Sequence, residues 1–461
     1  MLGVLIRREI VAHLLSLRFG VTFILFLVLI GASMFVTVNT FRQDRSEYDV
    51  RMRTNRDALA DMLAEKDVSQ QWYRIFWDEG VQYAVPFAPF TWLAQGLTPA
   101  CPAAVSTVQD GAQSVDRGMT RSPLLGLLRV PDFVYVVNAI LSLLAILFMF
   151  DAVCGEKESG TLRLVLTNAV PRHLVLLGKW VGGYLVLVVP FLLAAGGGLV
   201  YAWACGVFAP SAGNLCVVAG LLAIACVYIA VFFNISLFIS STTDRSATAL
   251  LVGLLVWVAC ILVIPNLGPM TARIVKPTPT RKSIEAAKRA VDQEIDLRSQ
   301  RLTITSGEIS YGSKVERDRD VLDQERTRRK RELDRYFQTR QNEQMSLART
   351  IARVSPAGCW TYAATALART GPDAYARFGQ ARETLGTAFH DYVARMMAEA
   401  RKTGWASRPP IREDELPVLR VRLPDGAEAM RSALDDVLIL MILNVVFFML
   451  AFTYFLRYDV R

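Results

Sequence analysis

The residue types that most often carry chemistry are sparse or scattered in this 461-residue sequence. The three histidines, His13, His173 and His390, lie far apart, and the seven cysteines form no CxxC pair, so no metal centre is expected. Cys154, Cys205, Cys216, Cys226 and Cys260 lie in or beside apolar runs and read as packing residues, whereas Cys101 and Cys359 fall in polar segments where pairing stays open. No Gly-x-x-x-x-Gly-Lys-Ser/Thr phosphate loop, dinucleotide fingerprint or Ser/His/Asp or Cys/His set is present. The chain is therefore expected to be neither an enzyme nor a cofactor carrier by those routes.

One stretch has spacing with mechanical meaning. It runs Cys154-Gly155-Glu156-Lys157-Glu158-Ser159-Gly160-Thr161-Leu162, continues through Leu166 to Pro171-Arg172, and is followed by Gly178-Lys179. Gly155 is suited to a left-handed cap ending one helix, Ser159 or Thr161 to capping a short new one, and Pro171 to starting the next. Leu162, Val165 and Leu166 give the short helix an apolar face. Such a helix, anchored at both ends, either transmits force to two neighbours or is a simple interfacial connector.

The elements that hold this loop are long apolar runs. The sequence is 53% hydrophobic with a mean hydropathy of +0.32, and the apolar residues come in blocks. Runs of about 18 or more apolar residues read as membrane-spanning helices. Six are predicted, at 19–39, 133–153, 178–207, 214–240, 247–267 and 434–456. The fold class expected is an all-α integral membrane protein, six transmembrane helices with a helical extracytoplasmic domain. The first run lacks a small-residue cleavage site after Val38-Asn39-Thr40-Phe41 and reads as an uncleaved span.

Orientation follows from short flanks. Arg7, Arg8, Arg18, Lys157, Arg163, Arg172, Lys179, Arg245, Arg457 and Arg461 all fall on one side of a six-span layout, and the opposite short loop, 209–213, carries no charge. The positive-inside rule places both termini in the cytoplasm. The net charge of +9 is then an ordinary loop bias and no sign of nucleic-acid binding. Five regions result: 1–40, an interfacial helix and the first span; 41–132, extracytoplasmic and aromatic- and Pro-rich; 133–267, spans two to five with the loop 154–177; 268–433, extracytoplasmic and helical; and 434–461, the sixth span and tail.

Within 268–433, charged stretches at about 281–303 and 314–353 predict an antiparallel helical hairpin, broken at Thr305-Ser306-Gly307-Glu308, with Val291, Ile295, Leu322 and Leu333 pairing their sparse stripes. The basic run Arg326–Arg331 reads as a solvated helix face, since Glu325, Glu332 and Asp334 flank it. No charge lies mid-span, which argues against an ion-coupled transporter. The mild polar residues Asn138, Asn234, Ser236 and Asn444 fit a pathway for an amphipathic or apolar substrate, or plain packing. In the third span Pro190 and the glycine groups at 182–183 and 196–198 suit either close packing or a moving, substrate-facing helix.

The pattern Gly-Glu-x-Glu-x-Gly-Thr-Leu-x-x-x-Leu from Gly155 to Leu166, with Pro-Arg and Gly-Lys following, resembles the ABC-2 type permeases. The six-span layout, the segment Val354-Ser355-Pro356-Ala357 before the last span, and an amphipathic Leu2–Leu17 resembling that family's elbow helix extend the likeness. The resemblance implies that the loop is a coupling helix, with Glu156, Glu158, Gly160, Thr161, Leu162, Leu166 and Arg172 meeting a separate cytoplasmic ATPase chain that carries ATP and Mg. It implies the permease half of an ATP-driven ABC transporter in the bacterial inner membrane, paired with a second permease copy or a paralogue and exporting an amphipathic or hydrophobic substrate. Asn138, Asn234, Asn444 and Pro190 are then the pathway candidates. The alternative is a mechanotransmission or anchor protein whose extracytoplasmic hairpin acts on a partner while no substrate crosses.

Overall fold

The computed structural model describes residues 2–108, 111–115, 131–162, 164, 171–306 and 314–457. The chain forms two compact units, Met1–Ile261 with Ser355–Arg461, and Leu262–Val354. The described residues are 79% helical, an all-α membrane protein in class. Among the described residues six helices are long and apolar enough to cross a membrane: Phe19–Leu63, Phe133–Glu158, Arg172–Ala204, Ala212–Thr242, Ser246–Val275 and Gly426–Leu456.

In the first unit, α1 (Leu2–Leu14) leads to α2 (Leu17–Leu63), whose first turn is capped by Ser16 accepting from the Phe19 amide at 3.3 Å. The span expected to end at 39 does not stop there. No Gly or Pro lies between Thr40 and Leu63, so the helix runs on through Arg, Asp, Ala and Leu residues that favour it. At about 1.5 Å per residue it far exceeds an apolar layer of about 30 Å.

Beyond α2 the chain departs from all-helical expectation. After α3 (Val68–Tyr73), capped by Asp67, an antiparallel sheet of β1 (Val81–Ala84), β2 (Ala104–Val108) and β3 (Gly111–Val115) forms, with Val81 opposite Thr107 and Val105 opposite Ser114. It shares a core with α13 (Pro372–Thr403), in which Trp72, Phe76, Phe389, Tyr392 and Met396 are buried. Trp72 donates to the Pro409 carbonyl at 3.0 Å, and Gln71 accepts from the Ile411 amide at 2.9 Å. Parts of the two long non-spanning segments thus fold as one body.

The aromatic, Pro-rich stretch after β1 turns into the span bundle, where Phe90, Trp92, Leu93 and Ala94 are buried. A second short element also enters that core. α12 (Pro356–Leu367) starts at Ser355-Pro356, with Ser355 capping the Ala357 amide, and buries Cys359, Trp360, Ala363 and Leu367. Trp360 donates to the Val134 carbonyl at 3.0 Å. Cys101, half-buried, and Cys359, buried, are not joined by a disulfide. The second span begins with Phe133–Tyr135, passes a π turn at Val136–Leu141, and continues as α4 (Ser142–Met149) and α5 (Cys154–Glu158). The third is α6 (Arg172–Ala204), the fourth α7 (Ala212–Thr242), the fifth begins as α8 (Ser246–Val258), and the sixth is α14 (Gly426–Leu456).

The glycines of α6 serve close packing. A Cβ on Gly182 would lie 2.7 Å from the Cβ of Glu9, and one on Gly198 would lie 2.7 Å from Cγ of Met34, so only glycine lets α1 and α2 approach this span.

The second unit contains α9 (Ile264–Val275), α10 (Arg281–Ser306) and α11 (Lys314–Ala352). α10 and α11 pack as the antiparallel hairpin expected from the sequence, with Ile284 and Ile295 buried. Its cross-links are charged: Lys288 to Asp334 at 2.7 Å, Lys330 to Asp292 at 2.7 Å, Arg329 to Glu294 at 3.0 Å, and Arg326 to Asp296. The basic run at 326–331 is therefore no plain solvated face. Arg326, Arg329 and Lys330 turn toward the acids of α10, which the helical spacing of the two runs allows. The proposed hairpin tip at Gly307-Glu308 lies outside the described residues.

Candidate functional site

The loop after α4 is held by its own consecutive charges. Glu156 reaches α6, where its Oε1 lies 2.7 Å from Nζ of Lys179. Lys157 reaches the end of α7, donating to the carbonyls of Ser241 at 2.7 Å and Thr243 at 3.1 Å, with Asp244 at 3.6 Å. Glu158 accepts from the Ser246 amide at 3.0 Å, at the first residue of α8. The Lys157 and Glu158 contacts follow helix-end physics, a cation on orphan carbonyls and a carboxylate on an orphan amide, whereas Glu156 makes an ion pair with a side chain inside α6. Three neighbouring residues thus grip three different spans.

Two further contacts complete the base. Ser240 Oγ in α7 accepts from the amides of Val153 and Cys154 at 3.0 and 3.1 Å, capping the start of α5. Arg172 donates to the Leu456 carbonyl at 3.0 Å, at the last residue of α14. Lys179 is nearly buried and also lies 3.3 Å from Oε1 of Glu9, which ties α1 into the same cluster. A buried ammonium between two carboxylates is stable only while both partners stay.

Above this base the chain turns outward. Gly160 has φ +73, a left-handed conformation that favours glycine, and it is the turn glycine in place of the expected Gly155, which lies inside α5. Ser159 and Thr161 are exposed and share a 2.9 Å hydroxyl contact. Leu162 is fully buried in the span core, whereas Leu164 is 69% exposed. The apolar face expected to meet a partner through Leu162 is thus turned inward at that residue, because its side chain fills the space beneath the loop. Leu166 lies outside the described residues.

Sequence reasoning singled out Glu156, Glu158 and Arg172 as contacts for a partner, and the structure gives all three partners within the chain. It missed Glu9, Lys157, Lys179, Ser240 and Ser246. The signal for Lys179 is a lone cation about two turns inside the helix Arg172–Ala204, an expensive position without a partner.

The polar residues expected along a pathway hydrogen-bond to one another and to neighbouring spans. Asn234 accepts from Trp180 Nε1 at 2.6 Å and donates to Asn444 Oδ1 at 2.8 Å, and Asn444 donates to the Val227 carbonyl at 2.9 Å. Asn138 accepts from the Tyr228 hydroxyl at 2.8 Å. Pro190 is buried within α6. A cavity lined by Met34, Trp92, Phe133, Leu199 and Leu221 has a volume of only ≈10 Å³, room for about one water.

A family model described as ABC-2 family transporter protein matches residues 4–460 of the chain. Two curated proteins, each named as a probable ABC transporter permease protein NosY, are similar over shorter stretches. The one from Stutzerimonas stutzeri is 36% identical over 83 residues, 17% of this chain and 30% of that protein. The one from Pseudomonas aeruginosa is 37% identical over 67 residues, 14% of this chain and 24% of that protein. The chain thus spans less than a third of either relative's length.

Proposed function

This chain belongs to the ABC-2 family of transporter proteins, and from that premise we propose that it works as the permease of an ATP-driven ABC transporter. The observation that carries the reading is the loop base. Glu156, Lys157, Glu158 and Arg172 fan out to the third, fourth, fifth and sixth spans, while Ser159, Thr161 and Leu164 face outward. A displacement of the exposed turn is thereby delivered to four spans at once. A separate ATPase chain, holding ATP and Mg, would dock on that turn and move it when its nucleotide site closes.

In this reading both termini are cytoplasmic in a bacterial inner membrane, by the positive-inside charge placement. A second permease copy or a paralogue completes the unit. The cargo is amphipathic or hydrophobic and is exported, which agrees with spans that carry amides and hydroxyls but no mid-span charge. Reconstituting the chain with its ATPase in vesicles tests this: ATP-dependent flux of an amphipathic dye is expected, and ATP turnover without flux of any cargo speaks against transport.

A second reading has its own support. Asn234 and Asn444 bond to each other and to nearby backbone, and Asn138 accepts from the Tyr228 hydroxyl, as packing residues do. ATP-driven movement would then act on the hairpin of Leu262–Val354 as mechanotransmission to an extracytoplasmic partner. ATP-dependent change in hairpin spin-label distances, with no flux, selects that reading.

A further inference from the structure

The second unit carries most of the chain's surplus charge. Leu262–Val354 holds 20 Lys and Arg against 13 Asp and Glu, a net +7 of the chain's +9. Much of the acid is engaged across the hairpin, where Asp292, Glu294, Asp296 and Asp334 each face a cation of the opposite helix. The surplus is positive, and it includes Arg273, Lys276 and Lys282 around the join of α9 and α10.

α9 has two unlike faces. One packs on α11: Ala272 is fully buried, and a Cβ on Gly268 would lie 2.7 Å from the Ala348 carbonyl oxygen. The other is an exposed apolar stripe, Leu267, Met270 and Ile274, at helical spacing, with Met270 64% and Ile274 77% exposed. This helix is the end of the fifth membrane-spanning segment, Ser246–Val275. At about 1.5 Å per residue that segment is longer than an apolar layer of about 30 Å, so the open stripe at its end is expected where acyl chains give way to headgroups. Arg273 and Lys282 are exposed there, and Lys276 is half-buried with Glu343 at 3.3 Å.

We propose that α9 and the first turn of α10 form a binding surface for anionic phospholipid, with Leu267, Met270 and Ile274 against acyl chains and Arg273, Lys276 and Lys282 against the phosphate headgroups. An acidic protein would match the cations but not an apolar stripe continuous with a span. A leaflet holding phosphatidylglycerol matches both, and each cation near an anionic lipid surface adds an attraction that falls off within a Debye length.

The test uses the full-length protein in bilayers of phosphatidylcholine and phosphatidylglycerol. After gentle extraction, native mass spectrometry counts the lipids retained. Retained phosphatidylglycerol is expected to exceed its share of the bilayer, and Arg273→Gln/Lys276→Gln/Lys282→Gln is expected to lower the excess by about fivefold per cation removed. Arg328→Gln, on the exposed flank of α11, is expected to leave it unchanged. No excess in the wild-type protein, or an excess that survives the triple substitution, overturns the proposal. A second arm is independent of how the triple variant folds: a nitroxide on Ile274→Cys in the otherwise wild-type cation set is expected to collide with lipid-soluble oxygen more than with a water-soluble nickel complex. Protection from both, or a disulfide with a second copy, shows a protein-covered face and overturns it equally.

Discussion

Lys179 is the residue on which the loop base depends most. Its ammonium is almost out of solvent and is shared by Glu9 and Glu156, so removing it strands two partly buried carboxylates. Lys179→Met is expected to lower the stability of the purified protein by about 3 kcal/mol. Adding Glu9→Gln and Glu156→Gln should recover part of that loss, because no uncompensated charge then remains; thermal unfolding in one detergent would compare the variants. Tyr392 makes the opposite case. It is buried among Phe76, Val393 and Met396, burial pushes its phenol up to about 12, and its hydroxyl has no hydrogen-bond partner. Tyr392→Phe is expected to leave stability equal or raise it by about 1 kcal/mol, and a drop in the melting midpoint would mean the hydroxyl is satisfied. At this scale the sequence was only half legible. The run Gly155–Leu162 announced a loop between spans, but spacing does not say whether a carboxylate points at a partner chain or at a helix end in its own. Glu158 is exposed and also caps Ser246, whereas Leu162, expected on a docking face, is buried in the core.

Among the elements, the spans were the most legible, since a long apolar run has few alternatives once water is excluded. The hairpin was legible for a related reason: two charged, helix-forming stretches with a break between them must pair their sparse stripes to be stable. The sheet was not. Its strands have four and five residues, too few for a period of two to stand out, and Pro-rich chain separates β1 from β2. The hairpin's ladder joins side chains that keep much of their solvent contact, so each pair contributes about 1 kcal/mol or less and weakens with salt. Replacing 281–349 by a short Gly/Ser linker is expected to leave the first unit folded, because its core, including α12 and Trp360, lies wholly within that unit. Membrane insertion and ATPase binding should persist while transport or its coupling to ATP fails. A deleted protein with full biological activity would show the hairpin to be dispensable.

At the scale of the molecule, the proposed topology puts 154–172 in the cytoplasm and 281–349 outside it. In a cysteine-free background, Ser211→Cys and a cysteine within 281–349 are expected to react with an impermeant maleimide from outside the cell, whereas Thr161→Cys should react only after permeabilisation. In the proposed function, the exposed turn above the loop base receives force from a separate ATPase. Leu164→Asp reaches that turn without touching the base, because Leu164 is 69% exposed while Leu162 beneath it is buried. The decisive measurement is Mg-ATP hydrolysis by the affinity-purified full-length chain and whatever it carries from its native membrane, wild type against Leu164→Asp, with equal melting midpoints confirming the fold. The wild-type eluate is expected to hydrolyse ATP and the variant to lose most of that activity. An inactive wild-type eluate, or a variant as active as wild type, would rule out that role for the turn.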